Sequence, residues 1–151
     1  MAPEAAAVAL NPVEVRFTGG MLALNRLLMT LQNKRMPVAD FTLGRDTTGM
    51  RATIVLECPP ETAQRYTALL SSLEDVQEAG PTESISVTLV KTSGYWRAAA
   101  EETSVAAHES GDLVVVSGTV ETTENFLATL GDDVEDMVRL GPIASPGNGG
   151  V

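Results

Sequence analysis

Cysteine is almost missing from this chain: Cys58 is the only one in 151 residues, so no disulfide can form within it. It abuts Pro59 and Pro60 with no histidine near it in sequence, and reads as a structural residue rather than a nucleophile. Histidine is also single, at His108, so the usual zinc sites built from His and Cys cannot be assembled. Aromatic residues make up 4%, too few for a base-stacking surface. Positive charge is scarce as well. Ten Lys and Arg stand against 20 Asp and Glu, and a net charge of -10 repels phosphate backbones, which excludes nucleic acid as a first choice of partner. No apolar run approaches the roughly 20 residues that span a bilayer. The opening MAPEAAAVALNP has no basic start and carries Glu4, so it reads as a tail and not a signal peptide, and the cytoplasm is the expected compartment. Neither G-x-G-x-x-G nor G-x-x-x-x-G-K-[ST] occurs, which removes the common nucleotide-binding signatures.

What is present is ordinary globular chemistry, 44% hydrophobic and 20% charged. Residues 1–12 are expected to be a flexible tail. Val13 to Phe17 alternate apolar and polar, the period of a half-buried strand. Thr18-Gly19-Gly20 breaks it, and from Met21 the apolar residues Leu24, Leu27, Leu28 and Leu31 follow helical spacing until Pro37 forbids continuation. Val38 to Leu43 and Met50 to Cys58 read as a hairpin around a polar turn. Pro59-Pro60-Glu61 opens a second helix, and Val76 to Ala79 is a short strand ended by Gly80-Pro81. The order β-α-β-β-α-β is the ferredoxin-like pattern, a four-stranded antiparallel sheet with both helices on one face.

The second half repeats that order. Ile85 to Val90 is a strand, and Tyr95 to Glu102 allows only a shortened helix. Thr103 to Glu109 and Leu113 to Val120 flank a turn at Ser110-Gly111-Asp112. Thr122 to Leu130 is a helix capped by Thr122 or Thr123, and Met137 to Leu140 is a last strand. The fold class is therefore α+β, two ferredoxin-like modules over residues 13–80 and 82–143, with residues 144–151 a second flexible tail. Each module is near the lower size limit for a core of its own.

Candidate chemistry is sparse. His108 lies on a hairpin strand beside Glu109 and reads as a solvated residue; a general base working with that carboxylate is the enzymatic alternative. Asp132-Asp133-Val134-Glu135-Asp136 gathers carboxylates but lacks the spacing of a calcium loop. No catalytic or metal-ligating set is assigned. Gly19-Gly20-Met21 is the one local feature with a binding mechanism: glycines before a helix N-terminus let backbone N–H groups approach a carboxylate, although a plain tight turn has the same residues. Tyr95 and Trp96, the only tryptophan, read equally as core or as an exposed aromatic anchor for a partner.

The first module resembles an ACT domain, the small-molecule-sensing unit of amino-acid metabolism. The whole chain resembles the small regulatory subunits of acetolactate synthase (acetohydroxyacid synthase). The matching stretches are VEVRFTGGMLALNRLLMTLQNKRMPVADFTL, in which Ala23-Leu24-Asn25-Arg26 stands at the family's helix start, Leu89-Val90-Lys91 followed by Ser93-Gly94-Tyr95, Val115 to Leu130, and Val138-Arg139-Leu140-Gly141. The resemblance implies a non-catalytic, dimeric protein that binds and activates a catalytic subunit, with feedback control by valine, isoleucine or another branched-chain amino acid. It implies no cofactor in this chain; thiamine diphosphate, Mg and FAD belong to the partner subunit.

The effector site implied by the resemblance lies where paired ACT domains meet, and falls here on Gly19, Gly20, Met21, Leu22, Ala23, Pro37 and Val38. This sequence departs from the family there. Leu22 replaces a glycine, and Pro37 replaces an asparagine, losing its amide side chain and its backbone N–H. An amino acid needs donors for its carboxylate and acceptors for its ammonium, so effector binding is expected to be weak or absent. A free-standing ACT-type sensor of a small metabolite is the alternative reading.

Overall fold

Hydrophobic alternation and two pairs of helices produce two α+β units. The computed structural model describes residues 9–146. One unit takes the chain up to Glu83 and from Ala144 onward, and the other is Ser84–Ile143. Parts of both expected tails, residues 1–8 and 147–151, lie outside the described residues.

In the first unit β1 (Ala9–Phe17), α1 (Gly20–Asn33), β2 (Val38–Arg45), β3 (Met50–Cys58), α2 (Pro60–Ser71) and β4 (Val76–Pro81) follow one another. The sheet is antiparallel in the order β2-β3-β1-β4, the ferredoxin-like arrangement expected from the sequence. Val13, Val15 and Phe17 of β1 and Ala52, Ile54 and Leu56 of β3 point to one face, where Ala23, Leu27 and Leu31 of α1 and Ala63 and Leu70 of α2 meet them. Cys58 is buried in this core, and burial raises its thiol pKa, as expected of an inert structural cysteine. Two readings need correction. Residues 9–12 are strand and not tail: Ala9 to Pro12 pair with Cys58 to Val55. Pro12 is tolerated because it faces β4 at that strand's end, where its carbonyl still accepts from the Thr82 N–H at 3.1 Å and only the N–H at that margin is missing. Ala144, also assigned to a tail, lies in a two-residue strand, and its N–H donates to Thr53 Oγ1 at 2.8 Å.

The second unit contains β5 (Ser84–Thr92), α3 (Trp96–Thr103), β6 (Ala106–Ser110), β7 (Leu113–Gly118), α4 (Val120–Leu130), a 3-10 turn (Gly131–Asp133) and β8 (Val134–Arg139). Its sheet runs β6-β7-β5-β8, and the small β9 (Ile143–Ala144) adds to β5. The first helix is shortened, as read from sequence: α3 has 8 residues against 14 in α1. It ends at Ser104, which adopts φ 63, so Thr103 is helical and β6 starts later than the alternation suggested. The cap of α4 is Thr119, not Thr122 or Thr123. Thr119 Oγ1 accepts from the Thr122 N–H and Thr122 Oγ1 accepts from the Thr119 N–H, each at 3.0 Å, a reciprocal capping box. Val90, Val114, Val116, Phe126, Leu127 and Leu130 form the core with Ala99 and Ala100. Thr88 and Thr123 are also interior, and their hydroxyls have no hydrogen-bond partner among the described residues, which lowers the margin of a small core.

Candidate functional site

Gly19 closes β1 in a conformation only glycine adopts easily, φ 109 and ψ 4, and caps α1 without any side-chain hydrogen bond. The turn is tight: a Cβ on Gly19 would come 2.9 Å from the Cβ of Ala23. Next to it the α2–β4 connection supplies Asp75, whose carbonyl accepts from the Thr18 N–H at 3.1 Å and whose carboxylate binds Arg26 at 2.9 Å. Phe17, Ala23, Leu27, Leu73 and Val76 wall a cavity of about 220 Å³ here, with Arg26, Glu74 and Asp75 providing its charge. Apolar walls beside one cation and two carboxylates match the chemistry of an amino-acid zwitterion. The Arg26–Asp75 pair is already satisfied, however, so a ligand gains only by displacing it.

The β2–β3 turn lies against Phe17 and Thr18, immediately before the glycines. Asp46 holds this turn by accepting from the Thr48 N–H at 2.8 Å, the Thr48 hydroxyl at 2.9 Å and the Gly49 N–H at 2.9 Å. The two Thr48 hydrogen bonds, with lesser help from Gly49 and the charge of Arg51, hold its carboxyl below the ordinary 3.8. A depressed carboxylate stabilises the fold above its unfolded value and loses that contribution as pH falls through the folded value. Protection of the Thr48 and Gly49 amides, taken relative to the free-peptide exchange rate, is therefore expected to hold above the ordinary 3.8 and to be lost as pH falls below it. An Asp46→Ala variant, which lacks the acceptor, should show no such protection at any pH.

The expected effector residues separate into two groups. Gly19, Gly20, Met21, Leu22 and Ala23 are together at the start of α1, with Ala23 buried and the side chains of Met21 and Leu22 exposed by 74% and 61%. Pro37 and Val38 are not beside them in the same chain. Val38 pairs with Leu56 and the Pro37 carbonyl accepts from the Glu57 N–H, whereas Phe17, next to the glycines, pairs with Met50. Six residues of β3 separate these levels, about 20 Å at 3.3 Å per residue. Sequence reasoning missed Asp75, because nothing local in Glu74-Asp75 signals that it returns to the β1–α1 turn.

The aromatic pair also splits. Tyr95 is 90% exposed, while Trp96 is half-buried against the second core with the Arg97 guanidinium 4.3 Å above its ring. His108 is exposed on β6 and does not share a site with Glu109. Successive strand residues point to opposite faces, and Glu109 instead binds Arg97 at 3.2 Å. Among the described residues no group of three or more His, Cys, Asp and Glu is placed to hold a metal ion, and no helix is long and apolar enough to cross a membrane.

No family model and no curated protein matches the sequence. The structure is more informative. It superposes on the acetolactate synthase small subunit from Thermotoga maritima with a TM-score of 0.75, over 93% of this chain and 98% of that one, at 15% identity. The chain has the fold of an acetolactate synthase small subunit. Both modules of the small-subunit fold are included in the match, so the double ferredoxin-like reading of the sequence holds for nearly the whole chain.

Proposed function

We propose that this chain is a regulatory subunit of an acetolactate synthase: a protein without chemistry of its own that binds a thiamine-diphosphate-dependent catalytic subunit in the cytoplasm and raises its activity. The reading is carried by the extent of the structural likeness. One ferredoxin-like module serves many unrelated functions, but a tandem pair matched over 93% of this chain and 98% of the small subunit is a far narrower coincidence. Pairing of two copies is part of the same reading. Met21, Leu22, Leu28 and Met29 form one exposed apolar stripe on α1, and Leu43 is exposed on the neighbouring edge strand β2, a surface that association would remove from water. Such pairing is also the way for Pro37 and Val38 of one copy to approach the glycine turn of the other. Control of a partner requires different affinities for its less and more active states.

The test is a reconstitution with a purified acetolactate synthase catalytic subunit and its thiamine diphosphate, Mg and FAD. Addition of this chain is expected to raise turnover severalfold, and valine is expected to leave that activity nearly unchanged. Turnover that stays constant at every ratio of the two proteins contradicts the reading. A free-standing sensor is the second reading, favoured by the charged and apolar cavity beside Gly19. It requires a thermal shift with an amino acid in the absence of any synthase.

A further inference from the structure

The two sheets fill their helix-free faces with opposite chemistry. In the first unit Val13, Val15, Ala52 and Ile54 point to the helices, so Glu14, Arg16 and Arg51 take the other face. Arg51 donates to the Glu14 carboxylate, and Glu78 of β4 lies opposite Arg16. Charge suits a surface that meets water. In the second unit the equivalent positions are apolar. Val90, Val114 and Val116 point to the helices, which leaves Val87 and Leu89 of β5 and Val115 of β7 on the outer face. Strand register gathers them. His108, Val115, Leu89 and Val138 lie side by side across β6, β7, β5 and β8. In the next row the Leu140 N–H donates to the Val87 carbonyl at 2.7 Å, and Ile85 extends the patch along β5. Ile85, Val138 and Leu140 are exposed, and Val87, Leu89 and Val115 are half-buried. A contiguous apolar patch on a sheet face is the mark of a surface that a partner covers.

The border of this patch carries mainly one sign of charge. At the end of the sheet where β5 finishes and β7 and β8 begin, Lys91 pairs in register with Asp136. The turns at the same end add Asp112, Asp132 and Asp133. All five side chains are exposed, and among the described residues none of the four aspartates is in an ion pair. The other end of the patch is formed by Ile85 and Leu140. That polarity decides what can cover it. A second copy laid face to face on a twofold axis along the strands would bring two acidic ends together. A twofold axis across the strands would press each acidic end onto the other copy's Ile85 and Leu140, which strips carboxylates of water without a counter-charge. A partner with an apolar patch flanked by Lys or Arg satisfies both ends.

We propose that the helix-free face of the second sheet is where the catalytic subunit docks. Its apolar side chains pack on Leu89, Val115 and Val138, and its flanking Lys or Arg side chains meet Asp112, Asp132 and Asp133. This rests on the regulatory-subunit reading above and adds the place in the chain where contact is made. It leaves the α1 stripe of the first unit free for pairing.

Titration of an acetolactate synthase catalytic subunit with the full chain, read as a Kd, tests it. Val138 is 52% exposed on the edge strand β8, so a charge there leaves the second core intact. Val138→Asp is expected to weaken binding about thirtyfold or more, because the complex would enclose a carboxylate against an apolar surface. The melting temperature and the sedimentation of the chain alone should stay native. Leu140→Asp should act in the same direction. The double variant Asp112→Asn/Asp132→Asn should bind about threefold more weakly at low salt and show a flatter salt dependence than the native chain. Native affinity in Val138→Asp overturns the proposal, and so does an unchanged salt dependence in the double variant. A smaller particle formed by Val138→Asp alone assigns the face to a second copy and also overturns it. No binding by the native chain overturns both this inference and the function beneath it, so the two fail distinguishably.

Discussion

Replacing Phe126 with alanine is expected to unfold the second unit. Phe126 is fully buried and is the largest side chain wholly inside the second core, whose other fully enclosed members are Val, Leu and Ala. Removing a buried phenyl ring costs about 3–5 kcal/mol through lost transfer energy and the cavity left behind. A unit of this size typically holds only about 3–5 kcal/mol in total. Two interior hydroxyls without partners reduce its margin further. Amide protection in β5 and β7 should therefore vanish in Phe126→Ala, with Trp96 emission shifting to the red. Retained protection in those strands would show that the second core draws its stability from elsewhere.

The second large effect is expected at the glycine turn. A side chain on Gly19 must adopt φ 109 and must also approach Ala23 to 2.9 Å, and Ala23 is held against the core. Backbone strain of this kind costs about 1–3 kcal/mol, and Gly19→Val adds the steric contact, so about 3 kcal/mol is expected from urea denaturation of the first unit. Gly20 provides the control. Its φ is 62, in the ordinary left-handed region, and nothing lies within 4 Å of its absent Cβ. Gly20→Ala should cost only about 1 kcal/mol. Equal losses at both positions would mean that the Ala23 contact is relieved by movement of α1.

Much of this architecture was legible in the residues because pattern and punctuation agreed. β3 matched its expected limits, Met50 to Cys58, since a glycine-bounded polar turn precedes it and two prolines follow. Where punctuation conflicted with pairing, the reading slipped. Pro12 hid the first residues of β1, although a proline is tolerated at the margin of a neighbouring strand, here where β4 ends and Thr82 still donates to the Pro12 carbonyl. Glu135 and Asp136 hid the start of β8, because charges on an exposed edge look like a loop. Val120 looked like the end of a strand, but two threonines three residues apart cap α4 around it. Gly80-Pro81-Thr82, expected at the module boundary, instead has Pro81 within β4, with β5 beginning at Ser84.

The candidate site was less legible, for a geometric reason. Sequence order places Pro37 only a helix away from Gly19, but strand register decides which end of the sheet each occupies, and it sets them apart. Register also explains why His108 and Glu109, adjacent in the chain, work on opposite faces. Arg26 and Asp75 are 49 residues apart and meet only through the α2–β4 connection. No local motif announces such a meeting.

The function proposed for this protein requires contact with another protein, and co-sedimentation with an acetolactate synthase catalytic subunit tests that most directly. The account predicts a single faster boundary containing both chains, with the free form of the limiting partner depleted. Two boundaries moving at the speeds of the separate proteins, at concentrations well above those that support regulation, would contradict it.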